Sequence, residues 1–217
     1  MNLSPFIDHS VLKPDATRNE IAAGAKVCIE YHFPVYCVNS VHTAAAVSDL
    51  RGLDVRVAAT VAFPFGAVES TVKADEAYRA VRAGAREVDM VVDIGALKDH
   101  NWNRAMDDLR TVVEAIRGIT LKAIIETGYL TRDEIRDAIL CVVESGAAYV
   151  KNSTGFGPRG ADLEELAWIR KITPQSIGVK AAGGIRTYAQ AVALVEHGIQ
   201  RIGTSVGPAL LTPSVSA

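Results

Sequence analysis

A (β/α)₈ barrel is the fold class this sequence predicts, and three observations predict it. Eight short apolar runs rich in β-branched residues recur along the 217 residues, their starts separated by 29, 20, 32, 34, 28, 28 and 24 positions, about one strand–helix unit each. Segments of helical period fill the intervals. No break in composition divides the chain, so the units form one domain, residues 1–211, followed by a small polar tail, 212–217, expected to fray. An open doubly wound sheet is the alternative architecture.

In chain order the strand candidates are FIDHS from Phe6, VYCVN from Val35, VRVAATVAF from Val55 and EVDMVVDI from Glu87. LKAIIET from Leu121, YVKNST from Tyr149, IGVKAAGG from Ile177 and RIGTS from Arg201 complete the set. Two helix starts are marked by a threonine with glutamate three residues on, Thr17 with Glu20 and Thr131 with Glu134. Glycines at 84, 146 and 198 follow helical segments, where the left-handed turn after a helix favours them. The run KADEAYRAVRAGARE, from Lys73, reads as the solvated face of an amphipathic helix, with Lys73 and Glu76 spaced to pair across one turn.

Composition excludes several classes. A net charge of −2 gives no reason to expect nucleic acid or an anionic membrane as partner. No apolar run approaches the ~20 residues that cross a bilayer, and MNLSPFIDHS has no signal-peptide pattern. Cys28, Cys37 and Cys141 are odd in number and lie in apolar runs, as reduced thiols of a cytoplasmic protein do. The histidines lack metal-ligand spacing, so no metal is expected; His9 reads as a core residue facing the helices, and Trp102 and Trp168 as packing aromatics.

Side chains alternate between faces along a strand. In the fourth run Val88, Met90 and Val92 share the face expected to meet helices, which turns Asp89 into the barrel lumen. The same parity turns Asp8, Lys122, Glu126, Lys151 and Lys180 inward, and Cys37 with them if Tyr36 and Val38 face out. A structural charge network plugging the barrel is one reading, since ionised groups inside a fold are normally paired. A packing layer, however, would consist of branched aliphatics rather than three lysines, and barrel enzymes carry their sites at the carboxyl ends of the strands.

Lys151 and Lys180 lie on consecutive strands, which in a barrel are ~4.8 Å apart. A lysine amine is a poor nucleophile at neutral pH because its ordinary pKa is about 10.4; reaching ~7 takes ~4 kcal/mol. One like charge at ~4 Å and an effective dielectric of ~20 supplies about that much. A paired lysine is thereby made reactive toward a carbonyl, giving a carbinolamine, a Schiff base and then an enamine, with Asp89 as the nearby acid/base group. AGGIRT (182–187) and GTSVG (203–207) follow the seventh and eighth strands, where barrel enzymes bind phosphate on backbone N–H groups and helix starts, and STGFG (153–157) completes the cradle. Arg186 either pairs with such a phosphate or caps locally.

Taken together, FIDHSVLKP, VYCVN, VAFPFGA, KADEA, REVDMVVDIGAL, LKAIIETGYL, YVKNSTGFG, VKAAGGIRT and RIGTS resemble, nearly end to end and in this order, the deoxyribose-phosphate aldolase family of class I aldolases. The resemblance implies a barrel fold, no metal or organic cofactor, and reversible cleavage of 2-deoxyribose 5-phosphate to acetaldehyde and glyceraldehyde 3-phosphate in deoxynucleoside catabolism. It makes Lys151 the Schiff-base lysine, Lys180 its pKa-lowering neighbour, and Asp89 a proton relay acting with a water. Asp8, Cys37, Lys122 and Thr154 become lining positions, and Gly155, Gly183, Gly184, Gly203 and Ser205 the phosphate cradle. A homo-oligomer, dimer or tetramer, is implied as well. Three positions depart: Asn152 stands for a usual threonine, Arg159 for a glycine, and Val206 for a serine whose backbone N–H is expected to stay available. The tail has no terminal tyrosine to assist enamine protonation. A barrel enzyme of another reaction, an isomerase or an aldolase with a larger donor, and a non-catalytic sugar-phosphate sensor are the competing readings.

Overall fold

The computed structural model describes residues 1–213, so most of the tail expected to fray, 214–217, lies outside the described residues. Eight parallel strands close into a barrel in sequence order: β1 (Ile7–Val11), β2 (Val35–Asn39), β3 (Arg56–Val61), β4 (Glu87–Val91), β5 (Thr120–Ile124), β6 (Tyr149–Lys151), β7 (Gly178–Ala182) and β8 (Arg201–Thr204). β8 pairs back onto β1, Gly203 opposite Asp8, which excludes the open sheet. Around the barrel run α1 (Arg18–Glu30), α2 (Thr43–Asp49), α3 (Ser70–Arg82), α4 (Ile94–Lys98), α5 (Trp102–Ala115), α6 (Arg132–Ser145), α7 (Leu163–Ile172) and α8 (Tyr188–Glu196). Two helices, α4 and α5, follow β4, and β8 leads into a 3₁₀ turn, Gly207–Leu210.

The outward strand residues Ile7, Tyr36, Val38, Val88, Met90, Leu121, Val150, Val179 and Ile202 are buried in one cluster with the helices, each aliphatic contributing ~1.5–3 kcal/mol. Tyr36 reaches furthest: its hydroxyl donates to Ile21 O (2.9 Å) across α1, and a Cβ at Gly24 would lie 2.4 Å from it, so only glycine fits there. Thr17 and Thr131 form the expected capping boxes, each side chain accepting from the glutamate N–H three residues on. His9 packs outward, stacked near Phe33 and Tyr36.

One helix face differs from expectation. Lys73 is not solvated and does not pair with Glu76; it is wholly buried, donating to Asp108 Oδ2 (2.7 Å) and Val91 O (3.0 Å). The reason lies in spacing, since Lys73 extends the buried stripe of Ala77 and Ala80 by one helical turn. Glu76 turns elsewhere, accepting from Ser40 Oγ and Ala62 N.

Candidate active site

Register decides which inward side chains meet. Lys122 is the direct partner of Asp89, and Lys151 that of Lys180. Asp89 therefore sits below the lysine pair and receives all three amines. Its Oδ2 accepts from Lys151 Nζ (2.9 Å) and Lys180 Nζ (2.7 Å), and its Oδ1 from Lys122 Nζ (2.9 Å). Asp8 Oδ2 accepts from Lys180 (2.6 Å) and lies 3.3 Å from Lys122, while its Oδ1 takes Arg201 (3.1 Å). Glu87 completes the cluster beneath, 2.5 Å from Lys122 and 3.8 Å from Arg201, with half-exposed Arg56 touching it from the lower rim.

Four cationic side chains thus share three carboxylates inside the lumen. With every group ionised, one positive charge is in excess, and Lys151 is the least compensated. It touches one carboxylate oxygen and shares it with Lys180, whereas Lys122 meets three carboxylates and Lys180 and Arg201 two each. The Lys151 and Lys180 amines converge on one carboxylate oxygen, Asp89 Oδ2, and of the two only Lys180 has a further counter-ion, Asp8.

Burial opposes charge on Lys180, but Asp8 and Asp89 outweigh it and hold the ammonium above its ordinary pKa. Lys122 is held still further above, burial being overridden by Asp89, Asp8 and Glu87. Burial likewise acts to raise Asp89, yet Lys122, Lys151 and Lys180 keep its carboxyl well below the usual carboxylate range. Asp8 is lowered by Lys180, Lys122 and Arg201 against the same burial. Cys37 is pushed up to about 11 by burial and Asp89, so its thiol stays protonated at neutral pH.

A cavity of about 700 Å³ opens at the carboxyl ends of the strands. Asp8, Cys37, Lys151, Thr154, Gly155, Lys180, Gly183, Gly184, Gly203 and Ser205 all line it. Asp89 and Lys122 do not. Lys122, taken as a lining residue, is fully buried one layer lower because parity assigns a face and not a height. Thr154 lines the wall, but its N–H and hydroxyl are both given to Glu126, so it offers a substrate neither. Gly203 lies beneath Lys180: a Cβ there would stand 3.1 Å from Lys180 Cε, so glycine makes room for the lysine stem.

The cradle is narrower than expected. Arg186 and Thr187 N–H groups at the start of α8 donate to Gln190, and Val206 N–H donates to Thr204 Oγ1 (3.2 Å) rather than staying available. Gly155, Gly183 and Gly184 hold positive φ (86°, 92° and 77°), and a Cβ on Gly155 would lie 3.6 Å from Gly183 Cα. Arg159 braces this loop, donating to Thr127 O (2.7 Å) and Glu165 (2.6 Å). Buried Asn152 accepts from Ala182 N (2.8 Å), tying the ends of β6 and β7. Glu87 and Arg201 escaped the sequence reading, although Glu87 shares the parity of Asp89 and Arg201 that of Gly203.

A parallel barrel whose lumenal ion cluster presents two amines to a cavity at the strand ends has the parts that a barrel enzyme acting on carbonyl compounds needs. The DeoC/LacD family aldolase profile matches residues 7–210, and the chain belongs to that family. Over 211 residues it is 44% identical to the deoxyribose-phosphate aldolase of Macrococcus caseolyticus (strain JCSC5402), covering 97% of this chain and 96% of that one. Among solved structures it resembles QR15, an aldolase (TM-score 0.93, 36% identity, 97% of this chain and 95% of that one). It also resembles the deoxyribose phosphate aldolase of Aeropyrum pernix, described as a unique tetramer (TM-score 0.90, 27% identity, 96% and 89%). The protein is an aldolase, a carbon–carbon lyase.

Proposed function

We propose that this aldolase reversibly cleaves 2-deoxy-D-ribose 5-phosphate to acetaldehyde and D-glyceraldehyde 3-phosphate, with Lys151 forming the Schiff base. One observation carries the assignment of Lys151: it is the cavity-facing cation with a single, shared carboxylate contact. The neutral Nζ attacks C1 of the open-chain sugar, and loss of water from the carbinolamine leaves an iminium. The C3 hydroxyl then gives up its proton as the C2–C3 bond breaks. Its electron pair moves to C2 as an enamine, and C3 departs as the aldehyde carbon of glyceraldehyde 3-phosphate. Protonation at C2 and hydrolysis release acetaldehyde and restore the amine. Lys180, held cationic, stands beside Lys151 on Asp89 Oδ2 and supplies protons at the cavity wall. Asp89, acting with a water, relays protons from behind the pair, its Oδ2 being common to both amines. The phosphate lies over Gly155, Gly183, Gly184 and Ser205, with exposed Arg186 at the rim. Each step is a proton transfer or a C–N, C–O or C–C bond change, which requires no metal or organic cofactor.

Incubation with acetaldehyde, borohydride reduction and peptide mass mapping should place an added ethyl group on Lys151. Binding of deoxyribose 5-phosphate without any adduct would instead support a sensor. The reading extends to a cytoplasmic homo-oligomer, dimer or tetramer. Three buried free thiols and exposed Val41, Phe65 and Val72 support it, and light scattering tests the assembly. No helix among the described residues is long and apolar enough to cross a membrane.

A further inference from the structure

Glu126, two residues beyond β5, has no part in the lumenal cluster and does not line the cavity, yet it is costly to keep. Its backbone is left-handed (φ 50°, ψ 65°), a conformation unfavourable for a residue with a side chain. Its carboxylate is buried, with Oε1 lacking any partner among the described residues. Oε2 accepts both the N–H (3.1 Å) and the hydroxyl of Thr154. From there the contacts run toward the cradle. Thr154 Oγ1 accepts Phe156 N–H (3.0 Å), and Ser153 Oγ accepts Gly155 N–H (3.0 Å). A Cβ at Gly183 would lie 2.9 Å from Ser153 Oγ, so the 153–157 loop is pressed against the β7–α8 turn. The loop also crosses directly over the glutamate: a Cβ at Gly157 would stand 2.7 Å from Glu126 Cδ.

We infer that Glu126 is a positioning residue for phosphate recognition, its carboxylate holding the 153–157 loop so that Gly155 faces Gly183 across the cradle. The inference rests on the reading above that the phosphate lies over those glycines. It separates Glu126 from the amine chemistry, because none of its hydrogen bonds reaches Lys151, Lys180 or Asp89.

The test compares 2-deoxyribose 5-phosphate with unphosphorylated 2-deoxyribose. In Glu126→Ala, KM for the phosphorylated sugar should rise about tenfold with kcat within twofold, while KM for 2-deoxyribose moves less than twofold. Glu126→Gln, which keeps an acceptor of the same length, should restore KM to within threefold. Gly157→Ala keeps the glutamate but sets a Cβ against its carboxylate from the loop side, parting the two, so it should reproduce the phosphate-specific rise if Glu126→Ala fails to fold. Parallel losses for both sugars, or wild-type discrimination that survives in both alanine variants, would overturn the inference alone. A wild-type enzyme indifferent to the phosphate would overturn the phosphate-end reading and the inference with it.

Discussion

Two regions of this molecule bury lysines completely, and they do opposite things with them. Between α3 and α5, buried Lys73 donates to one carboxylate, Asp108, and to one carbonyl oxygen. There burial dominates: Lys73 is lowered and Asp108 raised from their ordinary pKa values despite their mutual attraction. In the lumen the order reverses. Several charges face each other, so burial loses, Lys122 and Lys180 being raised and Asp8 and Asp89 lowered. A matched pair is a structural bolt; a cluster with one cation too many leaves an amine that nothing fully stabilises. The reactivity proposed for Lys151 rests on the imbalance and on the cavity, not on burial alone.

The contrast breaks first at Lys151. Lys151→Leu should lower turnover by ~10⁴-fold or more and abolish the reducible adduct, as loss of a covalent nucleophile does, with the barrel still folded. Lys73→Met should do the reverse. An uncompensated buried Asp108 costs ~3–5 kcal/mol of stability, read as a drop in Tm, with kcat/KM within threefold. Lys73→Met/Asp108→Leu should regain most of that loss, and failure to do so would mean that the bond from Asp93 N to Asp108 (2.9 Å) matters more than the ion pair. Lys180→Leu sharpens the lumenal side. It leaves Lys151 as the one cavity-facing amine on Asp89 Oδ2, so the rate of adduct formation at neutral pH should fall about tenfold or more. An unchanged rate would refute the part given to Lys180.

The smallest effect belongs to His9, a buried group with no counter-ion, lowered by burial from 6.5 to about 4. The unfolded chain binds this proton below 6.5 and the native protein does not until about 4. Stability from this group is therefore complete above pH 6.5 and lost as pH falls toward 4, by about 3 kcal/mol. His9→Phe should flatten that limb in urea titrations between pH 7 and 4.5; a limb of unchanged slope would assign it to other groups.

Much of this was legible in the sequence because strand parity is a strict rule in a barrel wall. Asp8, Asp89, Lys151 and Lys180 face inward as two-residue alternation requires. Parity carries no information on height, which is why Lys122 read as a lining residue while lying under the cavity floor. Helical spacing did place Lys73 in line with Ala77 and Ala80, but charge made it read as solvated; its partner Asp108, 35 residues away, is visible only in the fold. The hold of Glu126 on Thr154 depends on a left-handed backbone that no propensity suggests for glutamate.

The lumenal cluster divides unevenly along the chain. Its acids, Asp8, Glu87 and Asp89, come from β1 and β4, and its cations, Lys122, Lys151, Lys180 and Arg201, from β5 to β8. A gene cut between β4 and β5 would therefore yield two half-barrels with interiors of opposite sign, each unable to close on itself without stranding charge. Such fragments should find one another quickly in dilute buffer and slowly in concentrated salt. Proton chemistry and self-recognition of the two halves would then draw on the same seven side chains.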